Sequence, residues 1–360
     1  MYNPKVPYNN LPLLPPKQCL ETPEVLKSAI QAHRELAELK GMAPLLPNQA
    51  ILIHSIGLQE ARVSSEIENI VTTNDELYRS FADFGKSSNP STKEVLRYND
   101  ALGYGYQTLT RKKRLLSPAL LEELAQLITL NTSGIRKLPG TVLKNPLNNQ
   151  TIYTPPEGEQ VIRDKMDNLI HFIYANHDFD PLIKLALIHY QFEAIHPFHD
   201  GNGRTGRILN ILYLIENKLL ELPVLYLSKY IIENKSKYYE GLRNVTQKEA
   251  WIPWILFMLQ AVKETAQLTR KKIFSILDLM SQVQEKIHTH LPKIYSKDLV
   301  EILFEQPYCK IKFLERLVVH RQTASRYLQD LEKIGILRSI KVGKEKYYIH
   351  DAYLEILKNH

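Results

Sequence analysis

A chain of 360 residues, 44% hydrophobic and 24% charged, is too long for one average domain and too apolar for a disordered segment, so two or three folded units are expected. Its two cysteines, Cys19 and Cys309, stand at opposite ends, which argues against a disulfide framework and fits a reduced compartment; with no apolar run of spanning length, a cytoplasmic protein without a membrane partner is expected. The net charge of +7 is concentrated, since Lys310 to Lys346 holds ten Lys/Arg against four Asp/Glu, and a basic surface is therefore sought in the tail.

The Pro-rich stretch from Met1 to Glu21 predicts an extended segment laid over the surface. Thr22-Pro23-Glu24 supplies a cap, a first-turn proline and an early acid, and apolar residues at helical spacing continue to Gly41. Asn48 opens a second helix expected to run to Ile70, with Ser64, Glu68 and Asn69 near its end. Thr73 to Glu76 and Ser91 to Glu94 read as capping boxes, and Ser117-Pro118 as another helix start. From Gly134 to Pro156 the pattern changes: Thr141-Val142-Leu143 and Thr151-Ile152-Tyr153 are β-prone runs punctuated by Pro139-Gly140, Pro146 to Asn149 and Pro155-Pro156, which predicts a hairpin. A helix over 158–176 follows. Asp180-Pro181 then caps a helix from Leu182 to Ala194 without a clear polar face, the pattern of a buried central helix, and it runs directly into His196. His33, His189 and Tyr190 read as packed or solvated polar groups, not catalysts.

A long amphipathic helix is expected from Trp251 to about Gln284, and the tail begins near Leu291-Pro292. Helices at 298–305, 311–318 and 321–333, then two short strands about Gly343, make a winged helix-turn-helix pattern. Arg321, Gln322, Thr323, Ser325 and Arg326 open the would-be recognition helix, and Lys341, Lys344 and Lys346 lie on the wing. Residues 310–346 would suit DNA. The same module could serve protein contact or a homo-oligomer, and both readings stay open.

The densest chemistry is in Ile195-His196-Pro197-Phe198-His199-Asp200-Gly201-Asn202-Gly203-Arg204-Thr205-Gly206-Arg207. A glycine-rich segment that opens a helix offers free N–H groups and the positive end of the helix dipole to phosphate. Arg204 and Arg207 lie one turn apart on the same face. Asp200 can hold a Mg²⁺ that bridges phosphate oxygens, and His196 titrates near neutral pH. A zinc site at His196, His199 and Asp200 lacks a further well-spaced ligand pair. The set reads as a nucleotide site with its own base.

At these residues the chain resembles the Fic (AMP-transferring) family, whose signature runs His-Pro-Phe-x-Asp/Glu-Gly-Asn-Gly-Arg-x-x-Arg, and every fixed position is matched. The resemblance implies a mainly α fold: a Fic-type helical core with a β-hairpin flap, followed by the winged helix-turn-helix module. The expected divisions are an N-terminal helical region with an inhibitory helix (1–110), a catalytic core (111–285) and the winged-helix module (286–360). The implied activity is transfer of AMP from ATP, with Mg²⁺, to a Tyr, Thr or Ser hydroxyl of a target protein or of the chain itself.

By the same resemblance His196 is the general base and Asp200 holds Mg²⁺. Gly201, Asn202, Gly203, Gly206 and the helix N-terminus cradle the phosphates, Arg204 and Arg207 take the β and γ end, and Phe198 is a structural anchor. Tyr238, Tyr239 and Asn244 stand where the family binds adenine, and residues 140–155 stand at the flap, on which a target segment docks by strand pairing. Ser64, Glu68 and Asn69 match the family's inhibitory motif Ser/Thr-x-x-x-Glu-Gly/Asn, in a position resembling the class II arrangement, with Glu68 expected to pair with Arg207. A DNA-binding regulator with the Fic unit as sensor, and removal of AMP, are the alternatives.

Overall fold

The computed structural model describes residues 2–87, 89–144, 148–176 and 178–358. Helix α1 (Pro23–Met42) starts where Thr22 Oγ1 accepts the Val25 N–H, and it lies along the longest helix of the chain. The second helix, α2 (Ala50–Ile67), stops three residues short of the expected Ile70. Glu68 is its C-cap, and Asn69 takes a left-handed φ of 64°, a conformation that ends helices and that Asn tolerates. Thr73 caps α3 (Asn74–Ala82) as predicted. For α4 (Pro90–Thr110) the expected box at Ser91 is replaced by Asn89, whose side chain accepts the Ser91 and Thr92 N–H groups, with Pro90 in the first turn. Ser117 caps α5 (Pro118–Thr129).

The predicted hairpin forms from β1 (Leu143–Lys144) and β2 (Thr151–Tyr153), antiparallel, pairing Leu143 with Tyr153 and Lys144 with Thr151 across an irregularity. Residues 145–147 of the expected flap, Pro146 among them, lie outside the described residues. The N-terminal Pro-rich segment is strapped along the far side of β2: the Tyr8 N–H donates to the Thr154 carbonyl at 3.0 Å, and the Tyr2 ring stacks on Tyr153. Helix α6 (Glu159–Tyr174) leads to α7 (Pro181–Ile195), capped by Asp180 as expected, and α8 (Asn202–Glu216) packs directly on it. Nearly every residue of α7 and α8 is buried, which is why neither shows a polar stripe.

Helices α9 (Leu227–Glu233) and α10 (Lys235–Lys248) precede α11 (Trp251–His290), which continues past the expected Gln284 and is capped at Leu291. Trp254 is fully buried and donates its indole N–H to the Ala186 carbonyl at 2.8 Å, tying α11 to α7. Among the described residues no helix is long and apolar enough to cross a membrane.

The tail holds α12 (Lys297–Glu305), β3 (Tyr308–Cys309), α13 (Ile311–Leu314), α14 (Arg321–Lys333), β4 (Arg338–Val342), β5 (Glu345–Ile349) and α15 (Asp351–Lys358). The strands form one antiparallel sheet in the order β3-β5-β4. The helix expected over 311–318 is a single α turn followed by a 3₁₀ turn, while β3 and α15 were not foreseen. This module docks on the first half of the chain. Tyr308 donates to Asp75, Tyr347 and Lys310 donate to Asp83, and α12 and α15 pack against α2.

Candidate active site

Helix α7 ends at Ile195 because the residue before a proline is disfavoured in the helical region. His196 accordingly turns left-handed, with φ 50° and ψ 58°. Phe198 is buried against Phe192, and its backbone N–H and carbonyl are both bonded to the Asn202 amide, at 2.8 and 2.7 Å. The Asn202 side chain therefore fastens the loop, and its contribution to an anion site comes from the start of α8. Gly201 carries φ 79°, and a Cβ there would lie 2.8 Å from the Thr129 methyl.

The His196 Nδ1 is buried with no hydrogen-bond partner among the described residues. Burial and then the nearby Arg136 cation lower the imidazole to about 4, with Glu68 and Asp200 pulling the other way. At neutral pH the ring is uncharged and able to accept a proton. His199 and Asp200 are exposed, and Asp200 Oδ1 accepts the Gly201 N–H at 2.6 Å and an Arg204 N–H at 3.3 Å.

Arg204 and Arg207 are each only 1% exposed. Arg204 donates to Glu94 of α4 as well as to Asp200. Arg207 gives Nε to Ser64 Oγ at 2.7 Å, and Nη2 to the Ser64 carbonyl at 2.9 Å and to Glu68 Oε1 at 3.0 Å. Burial works against the Glu68 carboxylate, and the Arg207 charge, aided by Arg204, reverses this and holds it below the usual carboxylate range. Glu68 also presses on Gly203, where a Cβ would collide with its carboxylate and stand 2.9 Å from Arg207. The carboxylate thus sits at the N-terminus of α8, where an anion is favoured. Asn69 is exposed and, with its left-handed backbone, closes the end of α2.

Gly206 admits close packing of α8 on α7, since a Cβ would meet Phe192 at 3.0 Å and Glu193 at 2.5 Å. In the region expected for adenine, Tyr238 is 1% exposed, bonded to His189 at 2.8 Å and packed on Trp254. It belongs to the core. Tyr239 is 41% exposed and meets the Tyr238 ring edge to face at 5.2 Å, while Asn244 is half-buried.

Three residues here were not singled out from sequence. Glu94, read as a capping residue, is the partner of Arg204. Glu193 lies against Gly206 with Oε1 unpartnered among the described residues, pushed up to about 7 by burial. Arg136 grips the backbone of the His196 turn from before the hairpin. Its only sequence cue is a charged residue in an otherwise turn-like stretch.

For a Mg²⁺, Asp200 is the one carboxylate of the loop segment 195–207, and no cluster of three or more His, Cys, Asp or Glu able to hold a metal occurs among the described residues. An exposed Asp200 with one oxygen committed to Gly201 and Arg204 fits a hard ion whose other ligands are phosphate oxygens and water.

Family models match three successive stretches: the Fic/DOC family N-terminal model over residues 26–107, the Fic/DOC family model over 115–214, and the model for the protein adenylyltransferase SoFic-like C-terminal domain over 279–353. A probable protein adenylyltransferase of Aquifex aeolicus is 25% identical over 174 residues, covering 47% of this chain and 52% of that protein. The protein adenylyltransferase Fic of Drosophila melanogaster is 31% identical over 109 residues, 30% of this chain and 20% of that one. The chain thus spans about half the length of the first relative and less of the second. Two solved structures share the fold, both at 18% identity. They are a Fic family protein from Desulfovibrio desulfuricans (TM-score 0.56, 93% of this chain and 98% of that) and Fic-1 of C. elegans (TM-score 0.53, 69% and 73%). With these matches laid over a loop that carries every signature residue, the chain belongs to the Fic family.

Proposed function

We propose that this protein transfers AMP from ATP to a Tyr, Thr or Ser hydroxyl of a protein, and that Glu68 restrains it. The observation that supports the reading most is a histidine and two buried arginines carried on one loop-helix unit whose N-terminus is already occupied by a carboxylate. His196 takes the proton of the attacking hydroxyl, the hydroxyl oxygen bonds to the α-phosphorus, and the bond from that phosphorus to the bridging oxygen breaks, releasing pyrophosphate. Arg204, Arg207 and the first N–H groups of α8 hold the phosphates. Asp200 would hold Mg²⁺, which supplies charge neutralisation at the phosphates. While Arg207 is paired with Glu68 it cannot grip the γ-phosphate.

The target would add to β1. The far side of β2 is taken by the N-terminal segment, whereas β1 has no strand on its outer edge among the described residues, leaving residues 141–144 as the template.

Purified protein incubated with ATP labelled at the α-phosphate should become covalently labelled, and ATP labelled at the γ-phosphate should leave it unlabelled. His196→Ala should lower the rate by roughly 10²–10⁴. Label from the γ position alone, or full activity in the variant, contradicts AMP transfer.

A further inference from the structure

Arg136 is 1% exposed and makes no ion pair with a carboxylate among the described residues. A buried cation without such a partner is costly unless its protons are satisfied and its charge is offset in some other way. Here its donors converge on backbone oxygens. Nε donates to the His196 carbonyl at 2.7 Å, and Nη2 donates to the carbonyls of Pro156 at 2.8 Å and Ile195 at 3.4 Å. The Arg136 backbone N–H donates to the Pro197 carbonyl at 2.9 Å, and Ile135 bridges Phe198. Residue 136 therefore bonds to three consecutive carbonyls, 195 to 197, and the first two end α7, where the helix dipole is negative and a cation is favoured.

His196 holds a left-handed backbone without being glycine, a conformation that persists only when its surroundings over-determine it. We propose that Arg136 is a positioning residue for the transfer reaction, its guanidinium locking the His196 turn and so fixing the backbone from which the imidazole projects. This rests on the AMP-transfer reading. After burial, the same cation is the second influence that disfavours the imidazolium. The other charged groups acting on the ring are Glu68 from the end of α2 and Asp200 from the loop, and both favour the protonated form.

The test uses the full chain carrying Glu68→Gly, with two readouts: kcat and KM for AMP transfer, and the titration midpoint of the His196 imidazole followed by NMR. Arg136→Met should lower kcat roughly 100-fold with KM for ATP little changed, and should move the His196 midpoint upward. Arg136→Lys keeps the charge but loses the planar fork, so its midpoint should stay low while kcat falls by roughly tenfold. Unchanged kcat in both variants overturns the proposal, as does a loss that appears only as a raised KM for ATP with kcat unchanged. If Arg136→Met does not fold, Arg136→Lys decides: reduced kcat at an unchanged thermal midpoint supports the proposal, and full kcat overturns it. If the Glu68→Gly parent transfers no AMP, the functional reading fails, and the NMR midpoints still show whether Arg136 governs His196.

Discussion

Glu68 reaches from the end of α2 to within 3.0 Å of Arg207 and lies over Gly203. One carboxylate thereby both engages the arginine expected to hold the γ-phosphate and covers the helix N-terminus expected to hold the phosphate chain. On the proposed reading, a phosphate approaching this site would meet a like charge and find its cationic partner in use.

Ser64 should strengthen that hold. Its Oγ is the acceptor for Arg207 Nε, and both groups are buried. Ser64→Ala leaves a charged donor without a partner, so urea unfolding should show a loss of about 1–3 kcal/mol. AMP transfer should rise, though less than on loss of Glu68, because the contacts of Nη2 survive. Unaltered stability would contradict the contact.

Legibility in the sequence followed the range of the contacts. His196 to Arg207 could be read directly because their chemistry is local, and the Glu68 to Arg207 pair, 139 residues apart, became legible only through a second motif. Arg136 acts on a carbonyl 60 residues away and leaves no pattern in sequence. Tyr238 shows a different limit: helical spacing cannot distinguish an aromatic that stacks on a ligand from one bonded to His189 in the core. The helix α2 ends before the limit that apolar spacing out to Ile70 suggests, because the left-handed Asn69 stops it.

Stability should fall in acid through histidines that are buried uncharged. Burial lowers His350 from an ordinary 6.5 to about 4. The unfolded chain therefore binds a proton that the fold refuses, and stability present above 6.5 is lost as pH falls toward 4. His350→Gln should flatten this decline, by on the order of 3 kcal/mol at the acid end, as read by chemical unfolding across that pH range. A parallel decline in the two proteins would contradict it.

Of the two readings kept open for residues 310–346, DNA binding is the one that their unpaired basic side chains allow to be tested by salt dependence. Lys310, Arg316, Lys333, Arg338 and Lys346 are paired with carboxylates, whereas Arg321, Arg326, Lys341 and Lys344 are exposed and carry no ion pair among the described residues. The full chain should bind duplex DNA with an affinity that falls as salt rises, and Arg321→Ala or Lys344→Ala should each reduce the logarithmic salt slope by about 1. Absence of DNA binding at low salt, with self-association instead, would favour protein contact.

Restraint by Glu68 is tested most directly by the rate at which label from α-phosphate-labelled ATP becomes attached to protein. The Glu68 side chain is 36% exposed, so solvent screens the pair and its release is worth about 1–2 kcal/mol, or roughly 5- to 30-fold in rate. Glu68→Gly and Glu68→Gln should both rise by that factor, and adding His196→Ala should abolish the gain. Equal rates in wild type and both Glu68 variants, with folding confirmed by circular dichroism, would contradict the account.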